Sequence, residues 1–258
     1  SAHDSHPPAE MARLVDSVGV AMARLPLLDL WVLGLLAGAF ISFGGMLFTL
    51  VITGSDPGVG LVRWAGGIAF SLGLVLVVVG GAELFTGNNL IVMAWAARHV
   101  DTLALLRNWV VVYLANLVGS LGSVALVWTS GTLEAGSGAL GRTAAAIADA
   151  KLELGFVEAF SRGILCNALV CLAVWLCFAC RDVAGKVLCI VFPISAFVAL
   201  GLEHSVANMY LIPIGMLAAG GGIDAGAMLA NLVPVTLGNI VGGSALVALT
   251  YWMVYLRN

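Results

Sequence analysis

Apolar runs close to the thickness of a bilayer recur along this chain, and they restrict it to one class of fold. Hydrocarbon offers no partner to a backbone amide, so a spanning segment must satisfy its own hydrogen bonds, which a helix of about 20 residues does. Six such segments read out of the sequence, at 30–53, 64–97, 108–130, 156–180, 187–219 and 228–256. The composition agrees. Charged residues make up 10% of the 258 and the mean hydropathy is +1.08, where soluble domains carry about 25% charged residues. The net charge of −3 argues against a nucleic-acid partner. Ser1–Pro8 is polar and lacks the basic-then-apolar pattern of a signal peptide.

The second and fifth segments are interrupted, and the interruptions match. One reads Glu83-Leu-Phe-Thr-Gly-Asn88 and the other Glu203-His-Ser-Val-Ala-Asn208. The helices that follow also correspond, with "ANLVGS" at 115–120 and "GNIVGG" at 238–243. Residues 30–130 and 156–256 are therefore two copies of a three-helix unit. Three is odd, so the copies must be inserted in opposite senses, the inverted-repeat arrangement of many channels and transporters. The expected fold is an all-α membrane protein of six helices, aquaporin-like, with broken second and fifth helices. Unhelical backbone at membrane depth survives only inside protein or along a cavity. Glu83 and Glu203 are expected to accept from the freed backbone amides, and Asn88, Asn116, Asn208 and Asn239 to donate and accept there.

His204 lies at the second break, beside Glu203, whereas His3, His6 and His99 fall outside the segments. Imidazole titrates near neutrality when unperturbed. Thr86 brings a hydroxyl from the other break, in the pseudo-equivalent region. Two short polar groups from two inverted breaks point to one polar station in an otherwise apolar path. Five cysteines (Cys166, Cys171, Cys177, Cys180, Cys189) sit in or beside apolar segments and read as small hydrophobes of the core. Cys177-x-x-Cys180 fits a redox or metal pair by spacing alone, without a second pair or a nearby histidine. No cofactor or metal is expected, and no nucleophile constellation or nucleotide motif points to an enzyme.

Arg13, Arg24, Arg98, Arg107, Arg181, Lys186 and Arg257 fall on one side of the predicted spans; Arg63, Arg142, Lys151 and Arg162 fall on the other. The positive-inside rule then puts both termini in the cytoplasm. In residues 9–24, Met11, Leu14, Val15, Val18 and Met22 share one helical face. This predicts an amphipathic helix within residues 1–29, lying along the cytoplasmic interface as an anchor or acting as a movable gate, ahead of a channel domain at 30–257.

"GGAELFTGN" (80–88), "GILCNALVCLAVW" (163–175), "FVALGLEHSVANMYLIP" (197–213) and "NLVPVTLGNIVGG" (231–243) stand in order along the chain. In them the sequence resembles the formate/nitrite transporter family over residues 20–257, and most nearly its formate-channel branch. The resemblance implies a homopentamer, each protomer with its own pore for small monovalent anions such as formate or nitrite; the topology points to the inner membrane for a bacterial source. It implies constrictions at Phe70, Leu74 and Leu84 and at Phe197 and Val170. His204 matches the central pore histidine, with Asn167 close to it, Thr86 in the broken second helix and Asn239 in support. Lys151 matches a basic residue of the extracytoplasmic vestibule. Leu202 departs from the pattern, since an aromatic is common there, so the branch alone does not assign the anion.

Three rival readings remain at this level. A water or glycerol pore would carry Asn-Pro-Ala at both breaks; these read "LFTGN" and "HSVAN". A proton-coupled symporter is compatible with the Glu203–His204 pair, whereas tight glycine-rich packing favours a rigid frame. A non-transporting subunit leaves both polar breaks without purpose. Nitrite or hydrosulfide would use the same pore as formate.

Overall fold

The computed structural model describes residues 5–56, 58 and 60–257; His3 and the rest of residues 1–4 lie outside the described residues. Helix α1 (Pro8–Ala23) is followed by α2 (Leu27–Ile52), α3 (Leu61–Phe70), α4 (Leu72–Gly80), α5 (Val92–Ala96) and α6 (Thr102–Thr129). The second half runs α7 (Ala135–Leu152), α8 (Phe156–Cys177), α9 (Val183–Ala199), α10 (Ser205–Ala218), α11 (Ala225–Ile240) and α12 (Thr250–Tyr255). A 3-10 turn (Gly87–Ile91) leads into α5, and a π-helical stretch (Val241–Leu249) joins α11 to α12.

Five helical stretches are long and apolar enough to cross a membrane: Leu27–Ile52, Leu61–Gly80, Thr102–Thr129, Phe156–Cys177 and Ala225–Tyr255. Two shorter apolar helices, Val183–Ala199 and Ser205–Ala218, form the broken fifth segment. The six sequence segments thus map onto helices, with ends displaced by a few residues. The exterior is apolar, with Leu28, Leu50, Leu103, Leu126 and Phe192 all more than half exposed, as a surface facing lipid requires.

The region between the third and fourth segments, read as a connection, contains a helix. Residues 135–152 are rich in alanine and glycine, too weakly apolar to register as a span, and Gly136, Ser137 and Gly138 take positive φ at its start. Helix α7 is the inverted counterpart of α1. Glu83 N–H donates to Leu33 O, and Glu203 N–H to Arg162 O. Asn108 Nδ2 donates to Met22 O in α1, and Asn231 Nδ2 to Lys151 O in α7. Each repeat therefore has four parts, a packing helix followed by three segments. Helix α1 does not lie free along an interface. Met11, Ala12, Val15, Gly19 and Ala23 are buried in a cluster with Leu90, Ile91, Met93 and Ala94, Gly19 passing close to Ala94. Val18, expected on that buried face, is exposed.

Close helix crossings come from glycine. A Cβ on Gly38 would strike Asn116 O, on Gly119 Leu35 O, on Gly238 Phe160 O and on Gly242 Ile164 O. These contacts bind α2 to α6 and α8 to α11 and its π-helical continuation, the same pairs in the two halves. Helix α1, the end of α12, the 97–101 turn and the α8–α9 turn share one face, here the terminal face, as Met11, Val100, Trp175, Val247 and Leu256 share one cluster. Residues 53–56 and the start of α8 lie on the opposite face.

Candidate functional site

Both breaks are held by the same set of hydrogen bonds. In the first, Asn116 Oδ1 accepts from Phe85 N–H (2.9 Å), while its Nδ2 donates to Gly34 O (2.7 Å) and Glu83 O (3.0 Å). In the second, Asn239 Oδ1 accepts from Ser205 N–H (2.8 Å), while its Nδ2 donates to Gly163 O (2.8 Å) and Glu203 O (3.0 Å). One carboxamide can accept and donate at once, which suits backbone groups freed by a broken helix. The asparagines therefore do what the glutamates were expected to do. Glu83 Oε2 accepts from Asn88 Nδ2 (2.7 Å), which also meets Asn108 Oδ1 (3.0 Å). Glu203 Oε2 accepts from Asn208 Nδ2 (2.6 Å), which meets Asn231 Oδ1 (2.8 Å). A carboxylate is acceptor-only, and side-chain amides reach it where helix geometry keeps the backbone away.

Asn108 and Asn231 escaped the sequence reading. Each stands eight residues before its helix's Asn116 or Asn239, a matched spacing that was there to be found.

The repeats differ at two places. The counterpart of Lys151 is Met22. Lys151 Nζ lies 2.9 Å from Glu203 Oε1, with 15% and 4% of the two side chains exposed. The lysine expected as a vestibule cation is also an ion-pair partner of the break. The second difference is in the breaks themselves. Glu83 and Asn88 align with Glu203 and Asn208, so the counterpart of His204 is Leu84, and Thr86 stands two residues further on.

His204 is buried and caps α10. Its Nδ1 accepts from Ala207 N–H at 3.0 Å. That contact occupies the lone pair on Nδ1, so a neutral ring carries its proton on Nε2. Nε2 is 2.9 Å from Thr86 Oγ1, which makes the histidine the donor. No acceptor among the described residues takes the Thr86 hydroxyl proton. Asn167 Nδ2 fixes the threonine's backbone by donating to Thr86 O (3.1 Å), and it also meets Asn89 Oδ1 (3.0 Å) and Asn239 O (2.7 Å). Residues of both repeats thus meet in one buried cluster.

Two cavities approach this cluster. One, of about 350 Å³, opens on the opposite face and is lined by Asp56, Arg63, Phe70, Lys151, Arg162, Phe197, Glu203 and His204. The other, of about 590 Å³, opens on the terminal face and is lined by Val15, Val18 and Met22 of α1, with Leu74, Glu83, Leu84, Cys177 and Lys186. Phe197 stacks on the His204 ring at 5.9 Å and meets Phe70 edge-on at 5.7 Å. Phe70, Leu74, Leu84, Val170 and Phe197 are all buried. Phe70 and Phe197 belong to the opposite-face cavity and Leu74 and Leu84 to the terminal-face one. Val170 and Thr86 line neither and lie in the closed layer between. Lys186, which the sequence reading treated as a loop charge, forms no ion pair among the described residues. No group of three potential ligands among them is placed to hold a metal.

The whole arrangement has precedents. A family model for formate/nitrite transporters matches residues 9–253. The chain belongs to the formate/nitrite transporter family. It is 41% identical to the formate channel FocA of Escherichia coli (strain K12), over 97% of this chain and 94% of that one. Among solved structures, a pentameric formate channel with formate bound superposes with a TM-score of 0.79 at 36% identity, covering 90% of this chain and 98% of that one. An FNT family ion channel gives a TM-score of 0.86 at 30% identity, covering 95% and 98%. A multi-pass membrane channel of this family, and not an enzyme, is what the fold and its relatives show.

Proposed function

We propose that the protein conducts small monovalent anions of weak acids, formate first among them, through a pore in each protomer of a homopentamer in the inner membrane, with both termini cytoplasmic. Nitrite and hydrosulfide fall in the same class of substrate. The observation that carries the reading is the His204–Thr86 contact, made between the two breaks and lying between two cavities that open on opposite faces.

An anion entering an apolar layer loses its hydration, a cost too large to meet without partners. Phe70 and Phe197 on one side, Leu74 and Leu84 on the other, and Val170 in the layer between exclude water and large solutes. Between them His204 Nε2–H and the Thr86 hydroxyl supply two donors to a carboxylate or nitrite, in a low-dielectric setting where such bonds are strong. Asn167 and Asn239 hold the donors in place, and Glu203 with Lys151 holds the backbone that carries His204.

The cap on α10 bears on protonation. A neutral imidazole donates from Nε2 without giving up its proton. An imidazolium would need a proton on Nδ1, facing the Ala207 N–H. The contact therefore favours His204 as a hydrogen-bond donor to a passing anion over His204 as an acid. Flux of purified protein in liposomes, recording current and internal pH together for formate, nitrite and hydrosulfide, tests this. Formate current without matching proton movement is expected. Electrically silent, proton-coupled flux would overturn the donor role and make the neutral acid the permeating species.

A further inference from the structure

We propose that Cys180 and Cys189 are a peroxide-responsive thiol pair that closes to a disulfide, tying the end of α8 to the first turns of α9. The inference is independent of which anion the pore conducts.

Helix α8 ends at Cys177 and α9 begins at Val183, with Cys180 in the turn between. Asp182 Oδ1 accepts from Gly185 N–H at 2.8 Å and starts α9. The helix then brings Cys189 back over the turn, and its Sγ stands 3.3 Å from Cys180 Sγ. The turn is shaped around this contact. A Cβ on Gly185 would lie 3.3 Å from Cys180 Sγ and 3.4 Å from its Cβ, so a larger residue would push the thiol aside.

Access separates this pair from the other three cysteines. Cys166, Cys171 and Cys177 are buried, whereas Cys180 and Cys189 are both part-exposed. Cys177 Sγ points instead to Lys186 O at 3.7 Å. The sulfur that faces Cys180 is therefore nine residues on in sequence, and the Cys-x-x-Cys spacing is incidental.

The chemistry balances with hydrogen peroxide as oxidant. One thiolate attacks the peroxide, the O–O bond breaks and a sulfenic acid forms with loss of water. The second thiol attacks that sulfur, the S–S bond forms and a second water leaves. The resulting ring encloses Arg181–Leu188, and with it Lys186, which lines the terminal-face cavity.

The test treats the purified full chain with hydrogen peroxide, caps free thiols with N-ethylmaleimide and digests with trypsin and chymotrypsin for mass mapping. A linked Cys180–Cys189 peptide, lighter by two hydrogens and reversed by dithiothreitol, is expected. Cys177→Ser should keep it, and Cys180→Ser and Cys189→Ser should each lose it. Complete alkylation of both thiols after peroxide, conversion of either to a sulfinic acid, or a Cys177–Cys180 link would overturn the proposal.

Discussion

His204 starts α10 in the role that Asp101, Asp182 and Asp224 fill for α6, α9 and α11. Those three caps are at the surface, where a carboxylate stays hydrated. At the depth of α10 a neutral acceptor is required, and imidazole provides one on Nδ1 while leaving a donor on Nε2. Thr86→Val keeps the side-chain shape and leaves that donor without a partner. It also removes the hydroxyl donor to the passing anion, a loss of about 1–3 kcal/mol, so formate flux in liposomes is expected to fall by about tenfold. His204→Phe removes cap and donor together, and formate flux should fall at every pH with the shape of its pH profile unchanged; a profile that flattens in the variant would show His204 titrating during transport and overturn the donor role. Lys151→Met leaves the Glu203 carboxylate buried without its cation, which costs on the order of 3 kcal/mol. Thermal unfolding in detergent should show the loss, and adding Glu203→Gln should recover most of it. His204 and both glutamates were legible in the sequence, because a polar residue inside an apolar run demands an explanation. The pairing of Lys151 was not, since a lysine near a helix end looks the same whether it faces water or a carboxylate.

Helix α6 carries a paired test of the glycine crossings. A methyl on Gly119 would meet the Leu35 backbone, whereas one on Gly122 meets nothing within 4 Å. Gly119→Ala is expected to cost about 1–3 kcal/mol through overpacking. Gly122→Ala should be neutral or gain up to about 1 kcal/mol from helix propensity. Unfolding of the two variants side by side measures the difference. The breaks were readable because Glu-x4-Asn repeats, and because a matching asparagine follows on the next helix in both halves. Helix α7 was hidden by its composition. Ala144 and Ala148 pack against Gly215 of α10, and small residues chosen for close approach carry little hydropathy. The role of α1 was half-legible: its apolar stripe announced a helix, but only the fold reveals that Asn108 and Arg107 hold its end through Met22 O (3.2 Å) and Leu25 O (3.0 Å).

Across the molecule, the two mouths differ in charge. The opposite-face cavity sets Arg63, Lys151 and Arg162 against Asp56 and Glu203, a net cationic mouth, while the terminal-face cavity has Lys186 and Glu83. Exposed charges are screened over about 8–10 Å at physiological salt. Raising ionic strength should therefore slow formate entry more from the opposite face than from the terminal face, as initial rates in oriented proteoliposomes would show. The repeat made the frame legible as a whole, whereas which cations end up facing each mouth depends on tertiary turns that a sequence pattern does not specify. The cluster at the centre is stitched across the repeats: His204 to Thr86, Asn167 to Thr86 and Asn89, and Tyr113 to Thr236 at 2.9 Å. A protein that shuttled its cargo by swinging one half against the other would have to undo these stitches on every cycle. The proposed pore is in these terms a sieve and not a turnstile, and warming is expected to quicken its flux only as gently as it quickens diffusion through a fixed opening.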